Sequence, residues 1–331
     1  MEFRTRVDIP VSDVPINHST GIMLFGSCFS SYIGSQLQQY KFTVDVNPFG
    51  ILFNPLSISN AIQRLLYGKG VGEADLVQRQ GIYHSFMHHG EFSSPDRQAC
   101  LDAISTRFTR ASEALLKADL MLVTFGTAYL YRRKETGEVV SNCHKFPEGD
   151  FQRARLSVDE IVEEWGALIE GLTARRPTMK WVFTVSPVRH WKDGAHENQV
   201  SKSILHLAID ELQKRFEGVV RYFPAYEIVL DELRDYRFYN EDMIHPSPVA
   251  VEYVWQRFSD TFFNLRTRTI NREWESIRRS LDHRPLFSDS ESHQTFLEQT
   301  ALKLREFEQK YPFISCEEEA RMLHAKLNGN G

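Results

Sequence analysis

Residues 21–33 read GIMLFGSCFSSYI, an apolar run that passes through a glycine into a helix. Ile22, Met23, Leu24 and Phe25 carry no polar break, the pattern of a buried strand. Gly26 permits a tight bend, Ser27 and Cys28 follow at once, and Phe29, Ile33 and Leu37 then recur at four-residue spacing on one helical face. Two candidate nucleophiles therefore stand where a strand hands over to a helix. In open α/β sheets that is where reactive groups gather.

The same design recurs. LMLVTFGT (120–127), MKWVFTVSPVRH (179–190) and VVRYF (219–223) read as further strands, and YLYRRKETGEVVSNCHKFP (129–147) as two short strands about a Thr-Gly turn. Helical patterns separate them: ISNAIQRLLYG (58–68), CLDAISTRFTRASEALLKAD (100–119), SVDEIVEEWGALIEGL (157–172) and AYEIVLDEL (225–233). Ser157 with Glu160 forms a capping-box pattern, and Ser247 with Pro248 marks the start of VAVEYVWQRFSDTFFN (249–264). ENQVSKSILHLAIDELQKRF (197–216) is the clearest amphipathic helix, with Val200, Ile204, Leu205, Ala208, Ile209, Leu212 and Phe216 on one face. VDVNPFGILFNP (44–55) reads as a rigid loop punctuated by Pro48, Gly50 and Pro55, and GIYHSFMHHGEFS (81–93) has no clean period. Alternation of strands and helices predicts an α/β fold with a mainly parallel sheet. From 265 on the chain is charged and helical, so the expected division is residues 1–264 as the α/β domain and 265–331 as a helical extension with a frayed Asn/Gly tail.

Bulk properties narrow the function classes. With 331 residues, 42% hydrophobic and 25% charged, the composition is that of a globular protein. A net charge of -5 without a dense Lys/Arg stretch argues against a nucleic-acid partner. MEFRTRVDIPVSDVPI (1–16) has no apolar segment of secretory length and no stretch approaches a membrane span, so a cytoplasmic location without membrane attachment is expected. Cys28, Cys100, Cys143 and Cys316 are too scattered for a zinc site or a disulfide framework.

Three signals carry chemistry. At Gly26-Ser27-Cys28, helix N–H groups and the helix dipole favour a thiolate on Cys28 and predict a depressed pKa, whereas Ser27 needs a base. NEDMIHPSP (240–248) sets Asp242 three residues before His245, a spacing at which a carboxylate can fix an imidazole's tautomer. Gly126-Thr127 ends a strand where backbone N–H groups can serve an oxyanion, with Asn142 and His144 as further donors. Arg189 and Lys192, beside Ser186 and His190, can bind an anionic group. Tyr83, His84, Ser85, His88 and His89 can line a pocket, without the pattern of a metal site.

GSCFS, NPFGILFNP, FGTAYLYRRKETGEVVSNCHKFP, TVSPVRHWKDG and FPAYEIVLDELRDYRFYNEDMIHPS together closely resemble the bacterial GSCFA-domain family over residues 20–260. That family is related to SGNH (GDSL-type) esterases, and the resemblance implies a three-layer α/β/α sandwich, SGNH-hydrolase-like and flavodoxin-like. The superfamily's Gly-Asp-Ser falls on Gly26, Ser27 and Cys28, and its Asp-x-x-His block on Asp242 to His245. Its Gly-x-Asn-Asp block falls on Gly126-Thr127-Ala128-Tyr129, where Ala128 cannot supply the asparagine side-chain amide, and Asn142 is the nearest substitute in sequence. The implied activity is hydrolysis of a small O-acyl ester, such as one on a carbohydrate, through Cys28, His245 and Asp242, with Ser27 as the alternative nucleophile and no cofactor or metal. An acyltransferase using the same site, a non-catalytic binding module and a redox or metal-binding protein are the alternatives.

Overall fold

The computed structural model of the chain describes residues 4–283 and 291–327. The Asn/Gly tail from 328 on lies outside the described residues. The chain lays down β1 (Ile22–Gly26), α1 (Cys28–Gln39), β2 (Val44–Val46), α2 (Pro55–Leu66), β3 (Leu76–Arg79) and β4 (Ile82–Ser85). Then come α3 (Arg97–Lys117), β5 (Leu120–Phe125), β6 (Tyr129–Arg133), β7 (Val139–Val140), β8 (Phe151–Arg155) and α4 (Val158–Arg175). β9 (Lys180–Val185), α5 (Gly194–Arg215), β10 (Val220–Tyr222), a short α6 (Ala225–Glu227) and α7 (Pro248–Phe262) follow. Three helices complete the described chain: α8 (Leu265–Leu281), α9 (Glu291–Lys310) and α10 (Glu317–Leu327).

Five strands form one parallel sheet in the order β10-β9-β5-β1-β2, with Gly26 opposite Thr124 and Phe125 opposite Val185. Side chains alternate across it. Met23, Phe25, Met121, Val123, Phe125, Trp181, Phe183 and Val185 pack with α2, α3, α4 and α5 on one face. On the other, Leu24, Leu122, Val182 and Thr184 meet Phe29 and Ile33 of α1 and Phe258 of α7. The result is a three-layer α/β/α sandwich. Its centre is aromatic: Trp165 stands edge-on to Phe125 at 5.1 Å and to Phe183 at 5.2 Å. Such pairs contribute about 1 kcal/mol each beyond burial.

Two expectations change. Val44–Val46, read as loop, is the edge strand β2; three residues are too few for alternation to register in sequence. Its Asp45 carboxylate accepts both arms of the Arg107 guanidinium at 3.0 and 2.6 Å, which ties the edge to α3. Ile82–Ser85, within the aperiodic stretch, is a strand of the β3–β4 hairpin. Elsewhere the local signals hold. Ser157 and Glu160 make both halves of the capping box, and Ser247 precedes α7 with Pro248 at its first position.

The chain divides into two compact units. One contains the segment to Pro10, Gly21–Ser35 and Val44–Phe258; the other contains Val11–Thr20, Gln36–Thr43 and the chain from Ser259 on. In the second unit the Trp274 indole N–H donates to Gln39 O at 2.7 Å, Trp274 packs on Phe307 at 5.3 Å, and His18 stacks on Phe42 at 4.2 Å.

Candidate active site

The turn after β1 is shaped by its glycine. Gly26 has φ +139°, and a Cβ there would lie 2.3 Å from Thr124 O. Its N–H donates to Asn47 Oδ1 at 2.9 Å, and the Asn47 amide donates to Ser31 Oγ at 2.8 Å, so one buried asparagine holds the turn to the first turn of α1. Ser27 is only 1% exposed, and its hydroxyl accepts the Phe29 N–H at 3.3 Å, a capping arrangement. Cys28 is half-buried. Its thiol is raised above the ordinary value because burial outweighs the backbone N–H groups of Phe29 and Cys28 and the nearby Lys202. The expectation of a depressed value is thus overturned. A thiol of this kind needs a base to ionise it.

A histidine already paired with a carboxylate lies in the loop before α7. Asp242 Oδ2 meets His245 Nδ1 at 2.6 Å, while Asp242 Oδ1 accepts the N–H groups of Ile244 and His245 at 2.9 Å each. These two N–H groups and then the imidazole hold the carboxyl down at about 2. Nδ1 is thereby occupied, and Nε2 has no hydrogen-bond partner among the described residues.

The largest departure from the sequence reading is Lys202. It is fully buried in α5, and its ammonium donates to Gly126 O at 2.7 Å and Ser186 O at 2.6 Å, joining the ends of β5 and β9. Burial, then repulsion from Arg189, lowers it to about 7, against an attraction to Cys28. The residue is legible afterwards as a lysine within the stripe Leu205, Ile209 and Leu212. Val200 and Ile204, placed on that face from sequence, are only partly buried; Asn198, Ser201 and Lys202 take the interior positions.

Gly126 and Thr127 have no N–H to spare. Both donate to Phe53 O, at 2.7 and 3.1 Å, so as oxyanion donors they are already occupied. His190 lies against Gly126: a Cβ on the glycine would come 3.3 Å from His190 Nε2. The ring stands edge-on to Phe53 at 5.4 Å, and its backbone N–H donates to Asn198 Oδ1 at 2.9 Å. Burial first, then Lys202, Arg153 and His245, lowers His190 to about 4, so the ring is neutral at pH 7. Cys28 is thus within electrostatic reach of Lys202, Lys202 of His190, and His190 of His245.

Arg189 lines a cavity of about 360 Å³ with Asp242, beside Trp191, Tyr236, Tyr239 and Met243. Lys192, its rival as an anion binder, lies 3.5 Å from Glu148 on the surface. A larger cavity of about 670 Å³ lies elsewhere, where Asp231 and Asp235 already face Arg234 and Arg237 at 3.5 and 3.6 Å.

The remaining candidates gather apart from these groups. His84 and His144 stack at 4.5 Å, and His88 stacks on Phe49 at 4.6 Å. His144 Nε2 meets Ser85 O at 2.8 Å, His84 Nδ1 meets Ser93 Oγ at 2.7 Å and His88 Nδ1 meets Ser85 Oγ at 2.9 Å. The Asn142 side-chain carbonyl accepts the His144 N–H at 2.9 Å, a local turn bond. Among the described residues no group of three His, Cys, Asp or Glu is arranged as metal ligands.

A sheet in the order 2-1-3-4-5, with a Gly-Ser-Cys turn after its first strand and an Asp-x-x-His loop before α7, is the arrangement of an SGNH-like α/β/α fold. The chain belongs to the GSCFA family, whose profile matches residues 21–258, and a GSCFA domain protein C-terminal domain matches residues 274–329. No curated protein matches the chain. Among solved structures it is similar to a protein from Streptococcus pneumonia described as a platelet activating factor, at 12% identity over 75% of this chain and 86% of that one, with a TM-score of 0.34. It is also similar to an acetyl xylan esterase from the rumen bacterium Butyrivibrio proteoclasticus, at 10% identity over 75% of this chain and 64% of that one, with a TM-score of 0.37.

Proposed function

We propose that the protein hydrolyses small O-acyl esters, including those on carbohydrates, with Cys28 as nucleophile, His245 as base and Asp242 orienting the imidazole. The observation that carries this reading is the 2.6 Å Asp242–His245 pair, which leaves Nε2 as the ring's only open nitrogen. In the proposed reaction His245 Nε2 takes the Cys28 proton and Sγ attacks the ester carbonyl carbon. The tetrahedral adduct collapses to a thioester, and the departing alkoxide receives the proton from His245. His245 then deprotonates a water, which attacks the thioester carbonyl. The acid leaves, and Sγ regains its proton.

For the developing oxyanion we assign the Cys28 backbone N–H and the neutral His190 ring. Two facts support the second donor: Gly126 and Thr127 already donate to Phe53 O, and Ala128 has no side-chain amide while its N–H donates to Ser201 Oγ at 2.8 Å. Lys202 and Asn47 act as positioning residues that fix the loops carrying these groups.

The test is intact-protein mass spectrometry after mixing with p-nitrophenyl acetate. One acetyl adduct on Cys28, absent from Cys28→Ala and slowed in His245→Ala, is expected. Acetylation of Ser27, or labelling unaltered by either substitution, would end the proposal.

A further inference from the structure

The cavity that Arg189 shares with Asp242 has a chemistry that ester hydrolysis alone does not require. Trp191 is 56% exposed and Tyr236 is 75% exposed, large rings that a fold ordinarily covers. With Tyr239 and Met243 they border the same 360 Å³ space, the size of a small-ligand site. Flat, partly polar ring faces of this kind suit the C–H face of a sugar ring while leaving its hydroxyls to water.

The second element is an arginine without an anion. Other arginines of the same unit are paired: Arg153 with Asp193, Arg155 with Glu197 at 2.6 Å, and Arg234 with Asp231 at 3.5 Å. Arg189 makes no ion pair or hydrogen bond among the described residues. Asp242 lines the same cavity, but its two oxygens are committed to the Ile244 and His245 N–H groups and the His245 ring. Lys202 lies within electrostatic reach of Arg189 and repels it. A half-buried guanidinium whose cavity holds only a carboxylate already engaged by His245 lacks the free partner that its planar fork best accommodates.

We propose that this cavity is the subsite for the alcohol portion of the ester, and that it selects a carboxylate-bearing sugar, an O-acylated uronic acid. Arg189 holds the carboxylate, and Trp191 and Tyr236 hold the ring beside the Asp242–His245 pair. The assignment rests on the ester-hydrolase reading for its place in a reaction, but its binding chemistry can be measured without turnover.

The experiment uses the full-length Cys28→Ala protein and the fluorescence of its tryptophans. Trp165, Trp181, Trp255 and Trp274 are all buried, so Trp191 is the one that a ligand in this cavity quenches. Glucuronate is expected to give saturable quenching, with glucose at least about tenfold weaker. Arg189→Met should weaken glucuronate about tenfold, Arg189→Lys less, and Lys192→Ala should leave it unchanged. Trp191→Phe should remove the signal. Equal response to glucose and glucuronate, absence of saturable quenching, or unaltered binding in Arg189→Met would overturn the proposal. Uronate binding together with absence of any Cys28 acyl adduct would instead retain the subsite and discard the esterase reading.

Discussion

Two histidine-bearing regions of the first unit differ in how their polar atoms are satisfied. Around His84, His88 and His144, each ring has a nitrogen held by a serine hydroxyl or a backbone carbonyl, and the rings stack on one another or on Phe49. At the strand ends the reverse holds. Among the described residues His245 keeps Nε2 open, the His190 ring has no hydrogen bond and Arg189 has no anion, while the fold encloses the Lys202 ammonium nearby. The His245 side chain is about half exposed and Arg189 and His190 are partly exposed, so these open polar atoms lie where an incoming group can reach them and still want a partner. A ligand supplies one. The other cluster is complete without it.

The hardest break of this comparison would come from kinetics. Cys28→Ala and His245→Ala are expected to lower kcat for p-nitrophenyl acetate by about 10³-fold or more, whereas His144→Ala should change it less than about threefold. Equal losses in both regions would mean that the contrast in partnering carries no functional information. Next in size is Lys202→Met, which leaves Gly126 O and Ser186 O without their donor and should destabilise the fold by about 3 kcal/mol in urea unfolding. Retention of full stability would remove Lys202 as the clamp between the two strand ends.

His190→Ala sharpens the comparison at a single ring. A loss of about 10²-fold in kcat with KM little altered is expected, with partial recovery in His190→Asn, which restores a neutral N–H donor. A change confined to KM would return His190 to substrate contact and leave the oxyanion to backbone donors.

What was legible in the sequence was whatever depends on neighbours in the chain. Met23 to Phe25 and Val123 to Phe125 announce themselves because strands buried on both faces have no polar gaps. Asp242 and His245 sit three residues apart and close their own hydrogen bond, so spacing found them. Lys202 escaped notice because its purpose is tertiary: the carbonyls it joins belong to residues 126 and 186. The oxyanion assignment to Gly126 failed for the same reason, since Phe53, remote in sequence, had taken the N–H. Arg189 and Lys192 look alike in sequence. Only the position of Glu148 separates a paired cation from an open one. The raised Cys28 thiol likewise reflects burial by distant elements, which no local helix-terminus argument contains.

The smallest expected effect compares one ring from each region by acid. His190 is lowered to about 4 and His88 to about 3, both chiefly by burial, against an ordinary histidine value of about 6.5. Between pH 6.5 and 4 the unfolded chain therefore binds protons that neither folded ring accepts, and stability falls as pH falls. Each ring contributes a slope of up to about 1.4 kcal/mol per pH unit, less for His190 because solvent reaches part of it. Below pH 4 His190 becomes charged in the folded state and its share levels off, while His88 continues to contribute down to about pH 3. Urea midpoints across this range should thus show His190→Asn flattening the curve only above pH 4, and His88→Gln flattening it further into acid. Parallel curves for wild type and both variants would show that neither ring is held neutral, and His190 would lose the uncharged N–H on which its proposed part in the reaction depends.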